Sequence, residues 1–202
     1  MITGGNMGGI KRKSEAVLLL NRPALLAKIR QMSSKRNRAL AAFIYLTGAR
    51  ISEILGTIKR IPDSPDIEII PIKKEDIEII ESDDLMIVHN VACLKRKDKL
   101  PRRTIPIIMS QERGFVDIFL SHFNDLQDED NLFNIKRKQA WNIINKELGI
   151  FCHFLIHERC THLVTHKAFT DLDLKQFRGW SSTMMASTYT HLNYTDLARK
   201  MR

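Results

Sequence analysis

The sequence lacks several features that would assign it to whole classes of protein. No run of apolar residues approaches the roughly 18 that cross a bilayer, so we expect no membrane segment. Residues 1–13 are rich in glycine and end in basic residues, without the apolar stretch of a secretory signal, and they predict a flexible basic lead-in. Cysteine is scarce, with three residues at irregular spacing, which indicates reduced thiols and a cytoplasmic protein.

The signatures of several common enzymes are missing as well. The sequence has no glycine-rich phosphate-binding loop and no GxSxG segment, which argues against nucleotide and serine hydrolases. The zinc-protease pattern His-Glu-x-x-His fails at Thr161, and we expect neither a metal nor a cofactor. One alternative is a zinc-stabilised nucleic-acid-binding protein, because two histidine pairs have the i, i+4 spacing of ligands on a helix: His153 with His157, and His162 with His166.

Positive charge is what the sequence has in excess. Its 202 residues include 32 Lys and Arg against 23 Asp and Glu, which gives a formal net charge of +9. This sign favours a polyanionic partner, with nucleic acid ahead of an acidic membrane surface. Hydrophobic residues make up 44% of the chain, enough for one domain with a substantial core.

The periodicity of apolar residues predicts helices on both sides of a strand-rich segment. Helical stripes cover residues 14–55 and return after residue 110, with further helices expected around 154–166, 171–178 and 183–193. Nothing alternates strand with helix in the manner of a parallel sheet. The predicted class is therefore α+β, a mostly helical domain with a small antiparallel sheet.

The strand signals lie between residues 57 and 108, where prolines bracket runs rich in Ile and Val. The pentapeptide Asp-Ile-Glu-Ile-Ile occurs at 66–70 and again at 76–80, which we interpret as two similar strands. Residues 85–92 and 104–108 are predicted to be the arms of a hairpin.

The tip of this hairpin is strongly basic. Six of the nine residues in the segment Lys95–Arg103 are cationic. Most charge runs are only solvated surface, yet a cationic two-stranded ribbon has the shape and sign to enter or straddle a DNA groove. We therefore predict phosphate contacts by Lys97, Lys99, Arg102 and Arg103.

Four short segments, taken together, carry a resemblance to a known family. Leu46–Leu55 contains Thr-Gly-Ala-Arg-Ile-Ser-Glu, and His153–His157 is followed by Thr161–Leu163. Gly179–Trp180 and Tyr189–Leu192 follow in order. This constellation resembles the tyrosine recombinase, or phage integrase, family and is most similar to integrases of archaeal mobile elements. The order and spacing imply that residues 14–202 form the family's catalytic domain, with too few residues before the first segment for a core-binding domain.

The resemblance implies that this protein cleaves and rejoins DNA at specific sites. Arg50 would clamp the scissile phosphate, with Glu53 as its supporting carboxylate. Tyr189 would attack the phosphorus, leaving a 3′-phosphotyrosine and a free 5′-hydroxyl. A fixed guanidinium suits this chemistry because it stays charged and can donate to two phosphate oxygens.

Other matched positions would handle protons and packing. His153 would be a proton-transfer group near the phosphate, and Trp180 would pack against the phosphate and donate its indole N–H. Lys95 would be the general acid carried by the hairpin, with Lys97 as the second choice. His157 is expected to be mainly structural, because its place beside position 156 indicates a buried hydrogen bond.

One position departs from the family pattern. Ile156 stands where the family has its second catalytic arginine, and losing one preorganised donor typically costs about 3 kcal/mol, or roughly 10²–10³ in rate. Arg159 is not expected to substitute, because archaeal-type relatives often carry an arginine there beside an intact catalytic one. The alternative function is therefore a catalytically degenerate DNA-binding module on the same fold.

The resemblance also implies an assembly. Enzymes of this family act on double-stranded DNA as a tetramer, in which the segment after the tyrosine packs onto a neighbour. Here that segment is 190–202. We expect a homo-tetramer on DNA and a monomer or weak oligomer when free, in the cytoplasm of a prokaryotic host, with an archaeal virus or plasmid as the source.

Overall fold

The computed structural model describes residues 22–61, 64–94 and 101–189. The predicted lead-in, most of the hairpin tip and the segment 190–202 lie outside the described residues. Within the described ranges, no helix is long and apolar enough to span a lipid bilayer.

The order of elements follows the predicted sequence of helices, strands and helices. The described part of the chain contains seven α-helices: α1 (Arg22–Arg30), α2 (Lys35–Thr47), α3 (Ile51–Ile54), α4 (Arg113–Phe123), α5 (Arg137–Leu148), α6 (Cys152–Lys167) and α7 (Asp171–Arg178). The strands are β1 (Thr57–Ile61), β2 (Ser64–Ile69), β3 (Ile77–Ile80), β4 (Leu85–Ala92) and β5 (Arg102–Ile108).

Helix α2 is the centre of the core. The Ser34 side chain accepts a hydrogen bond from the backbone N–H of Asn37 and caps its start. Ala39 to Leu46 are buried on every face, so α2 packs against both α4 and α6. The rings of Phe43 and Phe119 stack with centroids 4.9 Å apart. The segment Leu46–Leu55 therefore begins at the end of a helix that is buried among other elements.

The strands form two antiparallel sheets, whereas the sequence led us to expect one. β1 pairs with β2 alone, and β3, β4 and β5 form a separate sheet in that order. The two similar pentapeptides thus contribute to different sheets. The predicted hairpin is confirmed, because β4 pairs with β5 with Met86 opposite Ile107, and alternate β5 residues are buried. The predicted α+β class is confirmed.

The last helices are only partly as predicted. Helix α7 covers the expected 171–178. Of the helix expected over 183–193, residues 183–189 instead form a 3₁₀ turn, Thr183–Met185, and further turns as far as Tyr189, and residues 190–193 lie outside the described residues. Serine and threonine are frequent here, and the Ser187 hydroxyl donates to the carbonyl of Met184 at 2.7 Å. Such side-chain bonds compete with a regular helix.

Candidate active site

The site begins at the turn between α2 and α3, where Arg50 caps the short helix. The backbone N–H of Arg50 donates to Glu53 Oε2 at 2.9 Å, and its Nη1 donates to Glu53 Oε1 at 2.6 Å. The Arg50 side chain keeps 18% of its surface exposed, while that of Glu53 is fully buried. One carboxylate therefore fixes both the backbone and the guanidinium of Arg50, with part of the guanidinium open to solvent.

Glu53 also connects α3 to the basic hairpin. Its Oε2 accepts from Arg103 Nη2 at 3.1 Å, and its Oε1 accepts from the backbone N–H of Leu94 at 3.4 Å. Burial raises the pKa of this carboxyl, but the guanidinium groups of Arg103 and Arg50 outweigh that effect and hold the pKa below its usual value. Glu53 is thus an anion at neutral pH that joins the two arginines.

Two glycines let the separate segments meet closely. Gly48 has φ +57°, and a Cβ placed there would lie 3.0 Å from the Phe177 ring. Gly179 has φ +64°, and a Cβ there would lie 2.2 Å from Cys93 Sγ, inside any real contact distance. A residue with a side chain would suffer both strain and overlap at these positions. The glycines therefore bring the α2–α3 turn against α7, and the end of α7 against the hairpin.

Tyr189 lies against residues from α6 and from the end of α7. Its hydroxyl is 2.7 Å from Nδ1 of His157, and its ring stacks on that of Trp180 with centroids 6.1 Å apart. His157 in turn meets the ring of His153 edge-on at 4.6 Å, since the two histidines are one helical turn apart. The phenol is therefore hydrogen-bonded to an imidazole, which accepts the phenol proton in the tautomer that leaves Nδ1 unprotonated.

Two positive charges act on the Tyr189 phenol. Burial raises its pKa, the Cys160 thiol adds to the increase, and the guanidinium groups of Arg178 and Arg50 work against it. Contacts also link the two groups of residues: Arg103, which is bonded to Glu53, bonds to Cys93 Sγ at 3.5 Å, and Cys93 lies against Gly179, the residue before Trp180. Residues as far apart in sequence as Arg50 and Tyr189 are brought together by the fold.

Comparison with solved structures identifies this fold. The XerH site-specific recombinase, bound to palindromic difH substrate in a post-cleavage complex, is 20% identical with a TM-score of 0.54, over 90% of this chain and 52% of that chain. The XerA recombinase is 18% identical with a TM-score of 0.53, over 100% of this chain and 64% of that chain. The Tn1549 transposon integrase, in complex with circular intermediate DNA, is 15% identical with a TM-score of 0.56, over 91% of this chain and 64% of that chain.

The chain has the fold of a tyrosine recombinase catalytic domain. It spans 52% to 64% of the length of these three proteins. No protein-family model and no curated protein matches the sequence, so at these low identities the likeness lies in the fold.

On this recombinase fold, the predicted site residues are only partly brought together. Arg50 is bonded to Glu53, and Trp180 stacks on Tyr189. His153 meets His157, the hydrogen-bond partner of Tyr189. The predicted general acid Lys95, its alternative Lys97, and Lys99 lie outside the described residues. Leu94, the last described residue before them, is bound to Glu53.

The two described arginines of the basic run differ in position. Arg102 is exposed and donates to the carbonyl of Asn90 at 3.1 Å. Arg103 is only 8% exposed and bonds to Glu53 and to the carbonyl of Ala92. Arg103 therefore supports the carboxylate that holds Arg50, and the predicted contact of Arg103 with DNA would need it to be more open than it is here.

The position of the missing second arginine is part of the core. Ile156 is 2% exposed on the buried face of α6. Arg159 is also buried and donates to Glu112 Oε1 at 2.6 Å, with its guanidinium 5.6 Å from the ring of Tyr45. It is engaged with a carboxylate outside the Arg50–Glu53–Tyr189 cluster, as expected for a residue that does not substitute.

The histidine pairs do not form a metal centre in the described part of the chain. Among those residues, no group of three or more His, Cys, Asp or Glu side chains is placed to hold an ion. The rings of His162 and His166 stack at 4.9 Å, and burial lowers the pKa of His162 to about 4.

One residue at the site escaped the sequence analysis. His157 was named as a supporting residue with a hydrogen bond, but its partner, Tyr189, was not foreseen. Arg178 was not singled out, although it directly precedes Gly179–Trp180. Its guanidinium carbon lies 5.6 Å from the centroid of the Trp180 ring.

Proposed function

We propose that this protein cleaves and rejoins DNA strands by attack of Tyr189 on a phosphodiester. The observation that carries the proposal is the 2.7 Å hydrogen bond between the Tyr189 hydroxyl and His157 Nδ1, in a site where the Tyr189 ring stacks on Trp180. The recombinase fold supports it, since the similar XerH and Tn1549 structures are complexes with DNA. The net charge of +9 favours the same partner.

The proposed reaction is a transesterification. The Tyr189 oxygen bonds to phosphorus while the bond from phosphorus to the 5′-oxygen breaks, and the phenol proton passes to His157. The leaving 5′-oxygen takes a proton from a general acid, for which Lys95 is proposed, with Lys97 as the alternative. The products are a 3′-phosphotyrosine and a 5′-hydroxyl. Rejoining reverses these steps, because the covalent intermediate conserves the energy of the bond.

The remaining residues stabilise charge and hold geometry. Arg50, fixed by Glu53, is proposed to donate to the non-bridging oxygens, on which negative charge accumulates in the transition state. Trp180 keeps Tyr189 in place by stacking and is proposed to donate its indole N–H to the phosphate. His153 is proposed as a second proton-transfer group, reached through the ring of His157.

We extend the proposal to the assembly and the DNA contacts. Double-stranded DNA is the proposed substrate, with Lys97, Lys99 and Arg102 on its phosphates. A homo-tetramer is proposed to form on DNA, through the segment 190–202. The sequence resemblance supports a site-specific integrase of an archaeal virus or plasmid, acting in the cytoplasm of its host.

The decisive experiment is covalent trapping. Nicked suicide duplexes from a randomised pool are incubated with the parent protein, Tyr189→Phe and Tyr45→Phe, and denatured samples are scored for protein-linked DNA. The parent and Tyr45→Phe, which alters a core tyrosine, should form the adduct, and Tyr189→Phe should form none. An adduct in Tyr189→Phe, or none in the parent, would overturn the proposal.

A second candidate is a DNA-binding module without cleavage. The buried apolar side chain of Ile156 favours it, because one expected donor is missing from the site. DNA binding by the parent without adduct formation would support this candidate. The variant Ile156→Arg tests whether only this donor is lacking. A gain in adduct formation would indicate an enzyme weakened by the missing arginine, and no gain would contradict that explanation.

A further inference from the structure

Arg178, the last residue of α7, has surroundings unlike those of a structural arginine. It is 1% exposed, and its Nε and Nη1 atoms have no hydrogen-bond partner among the described residues. No carboxylate within the described ranges forms an ion pair with it. Leaving two nitrogens of a buried guanidinium without partners is expensive, since these groups have been removed from water without replacement of their hydrogen bonds.

The guanidinium lies at the meeting point of the site's segments. A Cβ placed on Gly48 would be 3.4 Å from Arg178 Nη1, so the group lies against the turn that leads to Arg50. Its carbon is 5.6 Å from the centroid of the Trp180 ring, and the other face-to-face neighbour of Trp180 is Tyr189. Arg178 is thus next to Trp180 and to the turn at Gly48: the turn leads to Arg50, and Trp180 stacks on Tyr189.

The described charges around Arg178 do not balance. The charged and titratable groups that act on it are Arg50 and Glu53 on α3, Arg103 on β5 and Cys160 on α6. Burial lowers the pKa of Arg178 to about 10, which leaves it charged at neutral pH. Three guanidinium groups then face one carboxylate, and the surplus positive charge is suited to an anion that enters beside Tyr189.

We propose that Arg178 supplies the second guanidinium charge of the site, which Ile156 cannot, and that it stabilises the scissile phosphodiester from behind Trp180. The inference rests on the proposed function. Because Arg178 is buried, it acts through its field and through Trp180 and is a positioning residue rather than a contact to DNA. In a poorly solvated site such a charge is effective over several ångströms.

The main variant removes the charge and keeps the length. Arg178→Met should lower single-turnover adduct formation per folded molecule by roughly 10- to 100-fold, somewhat less than loss of a direct donor. The matched control is Arg159→Met, since Arg159 is equally buried beside aromatic rings but belongs to the Glu112 cluster. That control should alter the free energy of unfolding and leave adduct formation per folded molecule unchanged.

A neutral substrate separates an electrostatic role from a structural one. In a methylphosphonate linkage a methyl group replaces one charged oxygen, so the transition state carries one negative charge fewer for a surplus positive charge to stabilise. The loss of rate in Arg178→Met relative to the parent protein should then be much smaller than on the phosphodiester. Equal losses on phosphodiester and methylphosphonate would show that the variant has only disturbed the structure, and would overturn the inference.

Arg178→Lys covers the case in which the methionine variant does not fold. It keeps the charge but makes it titratable below the range of a guanidinium. Its adduct formation on ordinary DNA should fall as the pH rises through the titration of the lysine, while the parent's does not. Profiles of the same shape would overturn the inference.

The outcomes also separate the inference from the proposed function. A parent protein that forms no adduct overturns both. A reactive parent together with an equally reactive, folded Arg178→Met overturns the inference alone.

Discussion

Glu53 and Glu112 are two buried carboxylates that each hold two arginines, and they have different surroundings. Glu53 is 1% exposed and binds Arg50 and Arg103, while Glu112 is 2% exposed and binds Arg22 and Arg159. In both cases burial raises the pKa of the carboxyl, but the arginines outweigh it and the pKa is lowered. As electrostatic units the two clusters are almost the same.

Their neighbours make the difference. The arginines around Glu112 cover aromatic rings, with Arg22 5.7 Å from the ring of Phe115 and Arg159 5.6 Å from that of Tyr45. Around Glu53 a third guanidinium, that of Arg178, is present, and it overlies Trp180, which stacks on a tyrosine bound to a histidine. A buried arginine–carboxylate cluster is therefore not evidence of catalysis by itself. Surplus charge beside a nucleophile is what distinguishes the Glu53 cluster.

Replacing each carboxylate with an amide tests the difference between the Glu53 and Glu112 clusters, and it should have the largest effect on the free energy of unfolding. Glu53→Gln and Glu112→Gln should each lower the free energy of unfolding by about 3–5 kcal/mol, because each leaves buried guanidinium groups uncompensated. Adduct formation per folded molecule should fall only in Glu53→Gln. Denaturant unfolding and the trapping assay measure the two effects, with Glu78→Gln, at an exposed ion pair, as the control. Equal loss of adduct formation in Glu53→Gln and Glu112→Gln would show that the two clusters do not differ in their effect on the reaction.

Replacing one arginine in each cluster is the next test. Arg50→Lys keeps the charge but cannot donate as a fork, so adduct formation should fall by roughly 10²–10³. Arg22→Lys should leave the single-turnover rate unchanged and affect stability only. A similar rate loss in both would mean that the assay reports folding rather than chemistry.

The sequence allowed the fold and much of the site to be predicted. Helix α2, the Gly48 turn and the β4–β5 hairpin follow from apolar periodicity and turn residues, which are local properties. The turn structure from Thr183 onward was not foreseen; there the Ser187 side chain bonds to the backbone in competition with a regular helix. The division of the strands into two sheets depends on pairing between distant residues, which periodicity does not specify.

The site residues that were missed share a physical reason. The motif spacing selected Arg50, His157 and Tyr189, whereas Arg178 and the bond between His157 and Tyr189 depend on contacts that form only in the folded chain. Burial of Arg103 had the same origin, since its partner Glu53 is 50 residues away in sequence. Charge patterns in a sequence give the sign of a surface and not which of its residues are enclosed.

Alanine substitutions at two glycines that follow helices, one at the site and one away from it, should have effects of intermediate size on the free energy of unfolding. Gly48 and Gly149 both have positive φ, but a Cβ at Gly149 would meet nothing within 4 Å, whereas one at Gly48 would press on Phe177. Gly149→Ala should cost about 1–2 kcal/mol for the left-handed conformation alone. Gly48→Ala should cost about 1–3 kcal/mol more from overpacking. Unfolding free energies measure both, and equal costs would show that the close approach is not required.

Glu158 supplies the contrasting case of a half-buried carboxylate with no ion-pair partner among the described residues. Burial raises its pKa to about 7, opposite in direction to Glu53 and Glu112. A folded-state pKa above the unfolded one means that the folded protein binds the proton more tightly. Stability due to this group is therefore fully present below the unfolded pKa, near 4.5, and is lost as the pH rises through about 7.

Glu158→Gln should remove this pH dependence, and its effect on the free energy of unfolding should be the smallest among these variants. We expect the variant to be more stable than the parent by about 1 kcal/mol at a pH well above 7, a value reduced for partial exposure, and equally stable below the unfolded pKa. The stability of Glu53→Gln relative to the parent should change with pH in the opposite sense, because the Glu53 carboxylate stabilises the fold only when ionised. The stabilities of Glu158→Gln and Glu53→Gln, each relative to the parent, could instead change with pH in the same sense. That result would show that the arginines around Glu53 do not make its buried carboxylate stabilising.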